Sequence, residues 1–328
     1  MKNTFFDLTK KIFSIQNEDD FISVSLEVFR YQYSHNLVYQ SYCNLLNTDP
    51  QKIDSLEKIP FLPISFFKTH QIISESFSPE VIYSSSGTSG METSKHFLRF
   101  LSVYRQSFQK SFNHFYGDIE DYIVLGLLPS YLEREGSSLV YMVDQLIKDS
   151  KNPKSGFYLN NLDELALFLK SYSGRSKILL IGVSYALLDL AENFDLNLSS
   201  YIVMETGGMK GKRKELTKLD LHTLLKSSFQ SDSIHSEYGM TELLSQAYSK
   251  NDGLFSCPDW MKVMIREHND PFTYTIKKSG GINIIDLANL SSCAFIATDD
   301  LGRLRGNYFE VLGRFDFADL RGCNLLIQ

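Results

Sequence analysis

The sequence predicts an α/β fold: mostly parallel sheets flanked by helices, plus a β-rich subregion near the C-terminus. Three observations predict it. Continuous apolar runs bounded by turn residues recur at Asp121-Tyr-Ile-Val-Leu-Gly-Leu-Leu-Pro129, Lys177-Ile-Leu-Leu-Ile-Gly-Val-Ser184 and Ser200-Tyr-Ile-Val-Met-Glu-Thr-Gly-Gly208, the pattern of strands buried on both faces. Helical spacing follows the first two runs, over Ser137 to Lys148 and Tyr185 to Asn193, and strands alternating with helices imply a parallel sheet. From about Ile265 the pattern changes to short alternating runs with Gly and Asn turns, such as Ile282-Asn-Ile-Ile-Asp-Leu and Ala294-Phe-Ile-Ala-Thr298, which read as short strands. A length of 328 residues accommodates one large domain with a smaller appendage.

In chain order, Phe5, Leu8, Ile12 and Phe13 recur at helical spacing, and Asp20 to Tyr33 continues the pattern until Asn47-Thr-Asp-Pro50 breaks it. Ile59-Pro-Phe-Leu-Pro-Ile-Ser-Phe-Phe-Lys68 carries two prolines among large apolar residues, so it is expected to cross the core extended. Lys68 at its end is either a pocket residue or an exposed surface lysine. Tyr83-Ser-Ser-Ser-Gly-Thr-Ser-Gly90 follows an extended stretch. Small residues allow tight turning with backbone N–H groups converging on an anion, and the hydroxyls of Ser85, Ser86, Thr88 and Ser89 add donors. The competing reading is a flexible Ser/Gly loop, and no Gly-Lys-Ser/Thr closes it as a Walker A loop. Lys95 to Phe100 reads as a strand and Ser102 to Phe112 as an amphipathic helix. Lys210-Gly-Lys-Arg-Lys214 reads as a solvated loop.

Net charge of −6 and a pI near 5.7 argue against nucleic acid as a main partner. No apolar run reaches the roughly 20 residues of a membrane span, and the charged N-terminus lacks a signal peptide's apolar stretch. A cytoplasmic location is expected. Cys43, Cys257, Cys293 and Cys323 form no metal-binding spacing.

Three further stretches carry chemistry. Ser236-Glu-Tyr-Gly-Met-Thr-Glu242 combines an aromatic face, a close-approach glycine at Gly239, a hydroxyl and a carboxylate. Thr298-Asp-Asp-Leu-Gly-Arg303 places adjacent carboxylates before a tight turn, and Gly313-Arg-Phe-Asp316 sets a guanidinium beside a carboxylate. Each alone is weak, since Glu242 would also serve as a helix cap and Asp299 and Asp300 as turn residues. His96 and His235 read as hydrogen-bonded fillers.

In this order and at these separations the motifs resemble those of the adenylate-forming superfamily. The closest likeness is to the acyl-protein synthetase of the bacterial luminescence fatty-acid reductase and to phenylacetate-CoA-ligase-like enzymes. Ile59 to Lys68, Glu205-Thr-Gly-Gly-Met-Lys-Gly211 and Arg321-Gly-Cys323 carry that closer likeness. The resemblance implies an α/β nucleotide- and acyl-binding core over residues 1–264 and a β-rich subregion over 265–328 ending at a truncated hinge. It implies ATP and Mg²⁺ as cofactors and activation of a fatty or aromatic carboxylic acid as acyl-AMP. The acceptor would be a thiol, with an acyl carrier protein, coenzyme A or an acyl reductase as partner.

By the same resemblance, Ser85, Ser86, Gly87, Thr88, Ser89 and Gly90 hold phosphates, and Gly207 and Gly208 let backbone approach adenine. Tyr238 stacks on adenine beside Gly239, Thr241 contacts the α-phosphate and Glu242 ligates Mg²⁺. Asp300 accepts the ribose hydroxyls, braced by Arg314, with the neighbouring Asp299 leaving the assignment open by one residue. Gly182, Val183 and Ser184 line the acyl pocket. Cys323 matches a cysteine that accepts the acyl group as a thioester, and a thiol packing the last strand is the competing reading. The sequence ends twelve residues past Asp316 and no lysine follows Lys278. The superfamily's lysine-bearing C-terminal domain is therefore missing from it, and adenylation would be slow, use another cation such as Lys68, Lys95 or Arg303, or need a partner. The alternative is a catalytically impaired adenylate-fold protein that binds nucleotide or acyl ligand without turnover.

Overall fold

The computed structural model describes residues 2–85, 92–128, 136–207, 213, 216–267, 270–276 and 278–315. A six-stranded sheet runs in the order Gly156–Phe157, Tyr122–Leu127, Lys177–Val183, Ile202–Thr206, His235–Tyr238 and Ala247–Ser249. All neighbours are parallel except the last pair. Every residue of Tyr122–Leu127 is buried, as are all of Lys177–Val183 after Lys177, which is why these strands are apolar without alternation. The helices Ser138–Asp149, Ser184–Asn193 and Lys218–Phe229 supply the crossovers, with Leu162–Ser171 as an additional one. Ser137 and Thr217 cap two of them, accepting from the N–H groups of Val140 and Asp220 and so satisfying donors that a helix start leaves open.

The second sheet has five strands. Leu62–Pro63, Phe295–Arg305, Gly280–Asp286 and Met261–Arg266 lie side by side, and Tyr308–Arg314 pairs with Phe295–Arg305. Leu62–Pro63 runs parallel to its neighbour, with Leu62 opposite Ile296. It is an edge strand, where a proline's missing N–H is tolerated. Beyond it Phe66–Thr69 forms one helical turn, so the Pro-rich segment is extended only as far as Pro63. Once past the prolines, nothing removes the N–H groups that Phe67 and Lys68 donate to the carbonyls of Ile64 and Ser65.

A second expectation also changes. Thr298 to Arg303 lies inside the long strand Phe295–Arg305, and the reversal comes at Gly306, whose φ is +63°. A bulge between Leu301 and Gly302 bends the strand without ending it.

The N-terminal helices Lys2–Ile12, Glu18–His35 and Leu37–Leu45 pack over the second sheet. Gln32 is fully buried there. Its amide donates to the carbonyls of Asn289, Leu290 and Ser292 and accepts from the N–H of Ala294. No described helix is long and apolar enough to cross a membrane.

Candidate active site

The strand His235–Tyr238 delivers Tyr238 to the C-terminal edge of the parallel sheet, where open α/β sheets bind ligands. Its hydroxyl donates to Asp300 Oδ2 at 2.7 Å, and its ring packs edge-on against Phe255 and Phe309 at 5.8 and 5.6 Å. Burial and the adjacent Asp300 push the phenol well above its ordinary pKa. Arg314 lies opposite Asp300 in the antiparallel register and donates to Asp300 Oδ1 at 3.1 Å. Asp300, which is 6% exposed, thus joins two other predicted residues, Tyr238 and Arg314. Strand alternation turns Asp299 away from Tyr238, into the groove lined by Arg266 and Phe315.

The loop after Tyr238 carries Thr241 and Glu242 and is held from beneath. Asp286 Oδ2 accepts from the N–H groups of Leu244 and Ser245, and its Oδ1 accepts from the Ser245 hydroxyl. Asn289 donates to the carbonyl of Glu242. No helix follows Glu242 in this loop, so the capping reading fails. Its carboxyl is buried. Burial pushes its pKa up, opposed by a hydrogen bond from Ser94 and the charges of Arg314 and Lys68.

His96 is the buried, hydrogen-bonded histidine expected, and its two partners tie separate elements together. It lies on the strand Lys95–Leu98, which leaves the Ser/Gly loop, and is fully buried. Its Nδ1–H donates to the carbonyl of Thr241 at 2.9 Å, which leaves Nε2 to accept from the Ser292 hydroxyl at 2.8 Å. Burial lowers its pKa to about 4, against the opposing bond to Thr241. The folded value lies below the unfolded one. The stability from the neutral ring is therefore fully present above pH 6.5 and lost as pH falls towards 4, an effect of about 3 kcal/mol. Urea unfolding of wild type and His96→Asn between pH 7.5 and 4.5 is expected to show a flatter pH dependence in the variant. Parallel curves would refute this.

Behind the site lies a buried polar cluster. Glu205 pairs with Lys218 and His222. Burial alone would raise its carboxyl, but Lys218 and hydrogen bonds from His222 and Ser236 bring it down to about 2. Thr206 donates to Glu237, whose carboxyl burial pushes up to about 7. A Cβ at Gly239 would press on the Glu237 carboxylate, which would have to shift to admit it. Gly207, at φ +67°, turns the chain after Thr206 and accepts from Ser184 Oγ at 2.8 Å.

The predicted residues separate into groups. Tyr238, Asp300, Arg314 and the Thr241–Glu242 loop converge, and Ser85 stands at the neck of its loop, paired with Ser94 through bonds of 3.0 and 2.9 Å. Ser184 reaches Gly207, whereas Gly182 and Val183 are buried, with Gly182 against Leu127 and Leu187. Arg303 is engaged by Glu310, which removes it as a free cation. Ser86, Gly87, Thr88, Ser89, Gly90, Gly208 and Cys323 lie outside the described residues. Sequence reasoning missed Asp286, Asn289, Glu237 and Lys218. Only Glu237, inside a quoted motif, offered a signal.

Solved structures share this architecture. Structures of 2-hydroxyisobutyryl-CoA ligase, in complex with 2-HIB-AMP and CoA or in the postadenylation state with 2-HIB-AMP, match with TM-score 0.66 at 12% identity. They cover 89% and 92% of this chain and 73% and 69% of theirs. The fold is that of the adenylate-forming ligases. ATP-bound MatB from Rhodopseudomonas palustris has TM-score 0.55 and 14% identity over 73% of this chain, which spans about half (49%) of that ligase. Residues 9–115 match the family described as acyl-protein synthetase, LuxE. That match covers the Pro-rich segment and the Ser/Gly loop. No curated protein sequence matches the chain.

Proposed function

We propose that the protein activates a carboxylic acid with ATP as acyl-AMP and transfers the acyl group to a thiol, Cys323 first. The observation that carries this reading is the junction of Tyr238, Asp300 and Arg314, where three separate motifs meet at one sheet edge. In this reading Tyr238 presents its ring to adenine, and Asp300 accepts the ribose hydroxyls while Arg314 and Tyr238 fix its orientation. Gly207 and Gly208 admit the purine, residues 85–90 contact the phosphates by N–H and hydroxyl donors, and Thr241 reaches the α-phosphate. Gly182, Val183 and Ser184 bound the acyl side.

Among the described residues no group of three metal-ligating side chains occurs. One hard carboxylate, Glu242, nevertheless fits Mg²⁺, which usually takes one or two protein oxygens plus substrate phosphates. The ion would neutralise phosphate charge there. The carboxylate oxygen of the acid attacks the α-phosphorus, the bond to the bridging oxygen breaks, and pyrophosphate leaves with the electron pair. Fixed donors stabilise the charge that develops on phosphate oxygens.

Burial raises the thiols of Cys43, Cys257 and Cys293, the first two to about 12. That leaves them poor nucleophiles and favours Cys323 as the acceptor. The acyl group would pass on to a reductase or carrier. The reading is of a cytoplasmic enzyme, supported by four scattered cysteines that form no metal-binding spacing. Direct transfer to coenzyme A is the second reading, favoured by the likeness to a ligase solved with 2-HIB-AMP and CoA.

Pyrophosphate exchange across fatty, hydroxy and aromatic acids, followed by intact-protein mass spectrometry, tests both. Acyl mass on wild type and none on Cys323→Ser is the expected result. Exchange without labelling, with acyl-CoA formed, selects the second reading.

A further inference from the structure

Lys68 stands out among the charged groups near this site. It sits in the one-turn helix Phe66–Thr69 and is exposed. Its backbone is fixed on two sides. Leu62–Pro63 is paired to Ile296–Ala297, just before Thr298, and the N–H of Ile64 donates to the carbonyl of Ala297. The preceding residue, Phe67, is buried with its ring edge-on to His96 at 5.6 Å, and His96 in turn holds the Thr241 carbonyl. The segment therefore emerges beside both the Asp300 strand and the Thr241–Glu242 loop, and the Lys68 charge is felt by Glu242.

Its ammonium has no ion pair or hydrogen bond among the described residues, unlike Arg314 on Asp300, Arg303 on Glu310, and Lys218 on Glu205. The side chain is long and mobile enough to reach a ligand, and an ammonium is a point-charge donor suited to phosphate. Lys95, exposed opposite Ser84 on the neighbouring strand, is a second cation there, whereas Lys68 is the lysine whose charge acts on the Glu242 carboxyl.

Resting on the reading above, we infer that Lys68 is a phosphate-contacting residue. Its Nζ binds an oxygen of the ATP triphosphate and stabilises the negative charge that accumulates on the departing pyrophosphate. Lys68 keeps its proton throughout, and the electron pair of the broken P–O bond goes to pyrophosphate.

The test compares wild type, Lys68→Ala, Lys68→Arg and the control Lys58→Ala, an exposed lysine paired with Asp54. Affinities for ATP and for adenosine are measured by calorimetry, and pyrophosphate exchange is measured at saturating acid. For Lys68→Ala, ATP affinity is expected to fall about tenfold and exchange about a hundredfold. Adenosine affinity, acid KM and the urea midpoint should stay at wild-type values. Lys68→Arg should recover most of the exchange, and Lys58→Ala should match wild type. Unchanged ATP affinity and exchange in Lys68→Ala, beside an active wild type, would overturn the inference alone. An equal loss of adenosine and ATP affinity would reduce Lys68 to a structural role and overturn it too. Wild type that binds no ATP would instead remove the adenylation reading, and this inference with it.

Discussion

Asp286→Asn is expected to destabilise the protein by about 3 kcal/mol, because it sets a donor against donors in a sealed site. Asp286 is fully buried at the end of Gly280–Asp286. One oxygen accepts from the N–H groups of Leu244 and Ser245, and the other accepts from the Ser245 hydroxyl and the N–H of Ala288. Whichever way an asparagine is placed, its NH₂ faces one of these pairs. Trp260 lends a further bond to Ser245, so the neighbours cannot rotate away without breaking others. The loop bearing Thr241 and Glu242 rests on this carboxylate, and pyrophosphate exchange should fall even at temperatures where the variant stays folded. Urea unfolding measures the first effect and exchange the second. A variant within about 1 kcal/mol of wild type would show that the loop is held by Asn289 and His96 alone.

Glu242→Gln is expected to behave in the opposite way, losing function without losing the fold. The carboxyl is buried and its charged form disfavoured by that burial, so a neutral amide of the same shape removes a desolvation penalty. Ser94 still has an oxygen to donate to. Stability should equal or slightly exceed wild type in urea. Exchange should drop about a thousandfold, the upper range for removal of one preorganised charge-stabilising group. Exchange retained within a few-fold would dismiss Glu242 from the chemistry and leave it a packed acid.

The buried strands were legible because their apolar runs have no polar interruption, as at Tyr122–Leu127. The Tyr238, Asp300 and Arg314 motifs, each weak alone, were legible through their order and separations, which resemble those of the adenylate-forming superfamily. What joins them was not. Nothing in Gly280-Gly-Ile-Asn-Ile-Ile-Asp286 announces that its last residue will collect N–H groups from residues 244 and 245, since that contact exists only once two sheets meet. His96 was read as filler for the same reason, because a lone histidine's partners are set by tertiary placement. Thr298 to Arg303 was misread as preceding a tight turn because Asp-Asp and Gly are turn formers locally, and pairing with Tyr308–Arg314 outweighs that preference.

The edge pairing of Leu62 with Ile296 has a consequence for the order of events on the ribosome. The early helices emerge first, yet Gln32 finds its four partners only among residues 289 to 294. Until those residues have been made, the Gln32 amide lacks the partners it has in the folded chain. Closure of such a long loop is slow. The second sheet, and with it the Asp300 half of the site, can be completed only after the strand Tyr308–Arg314 has been made.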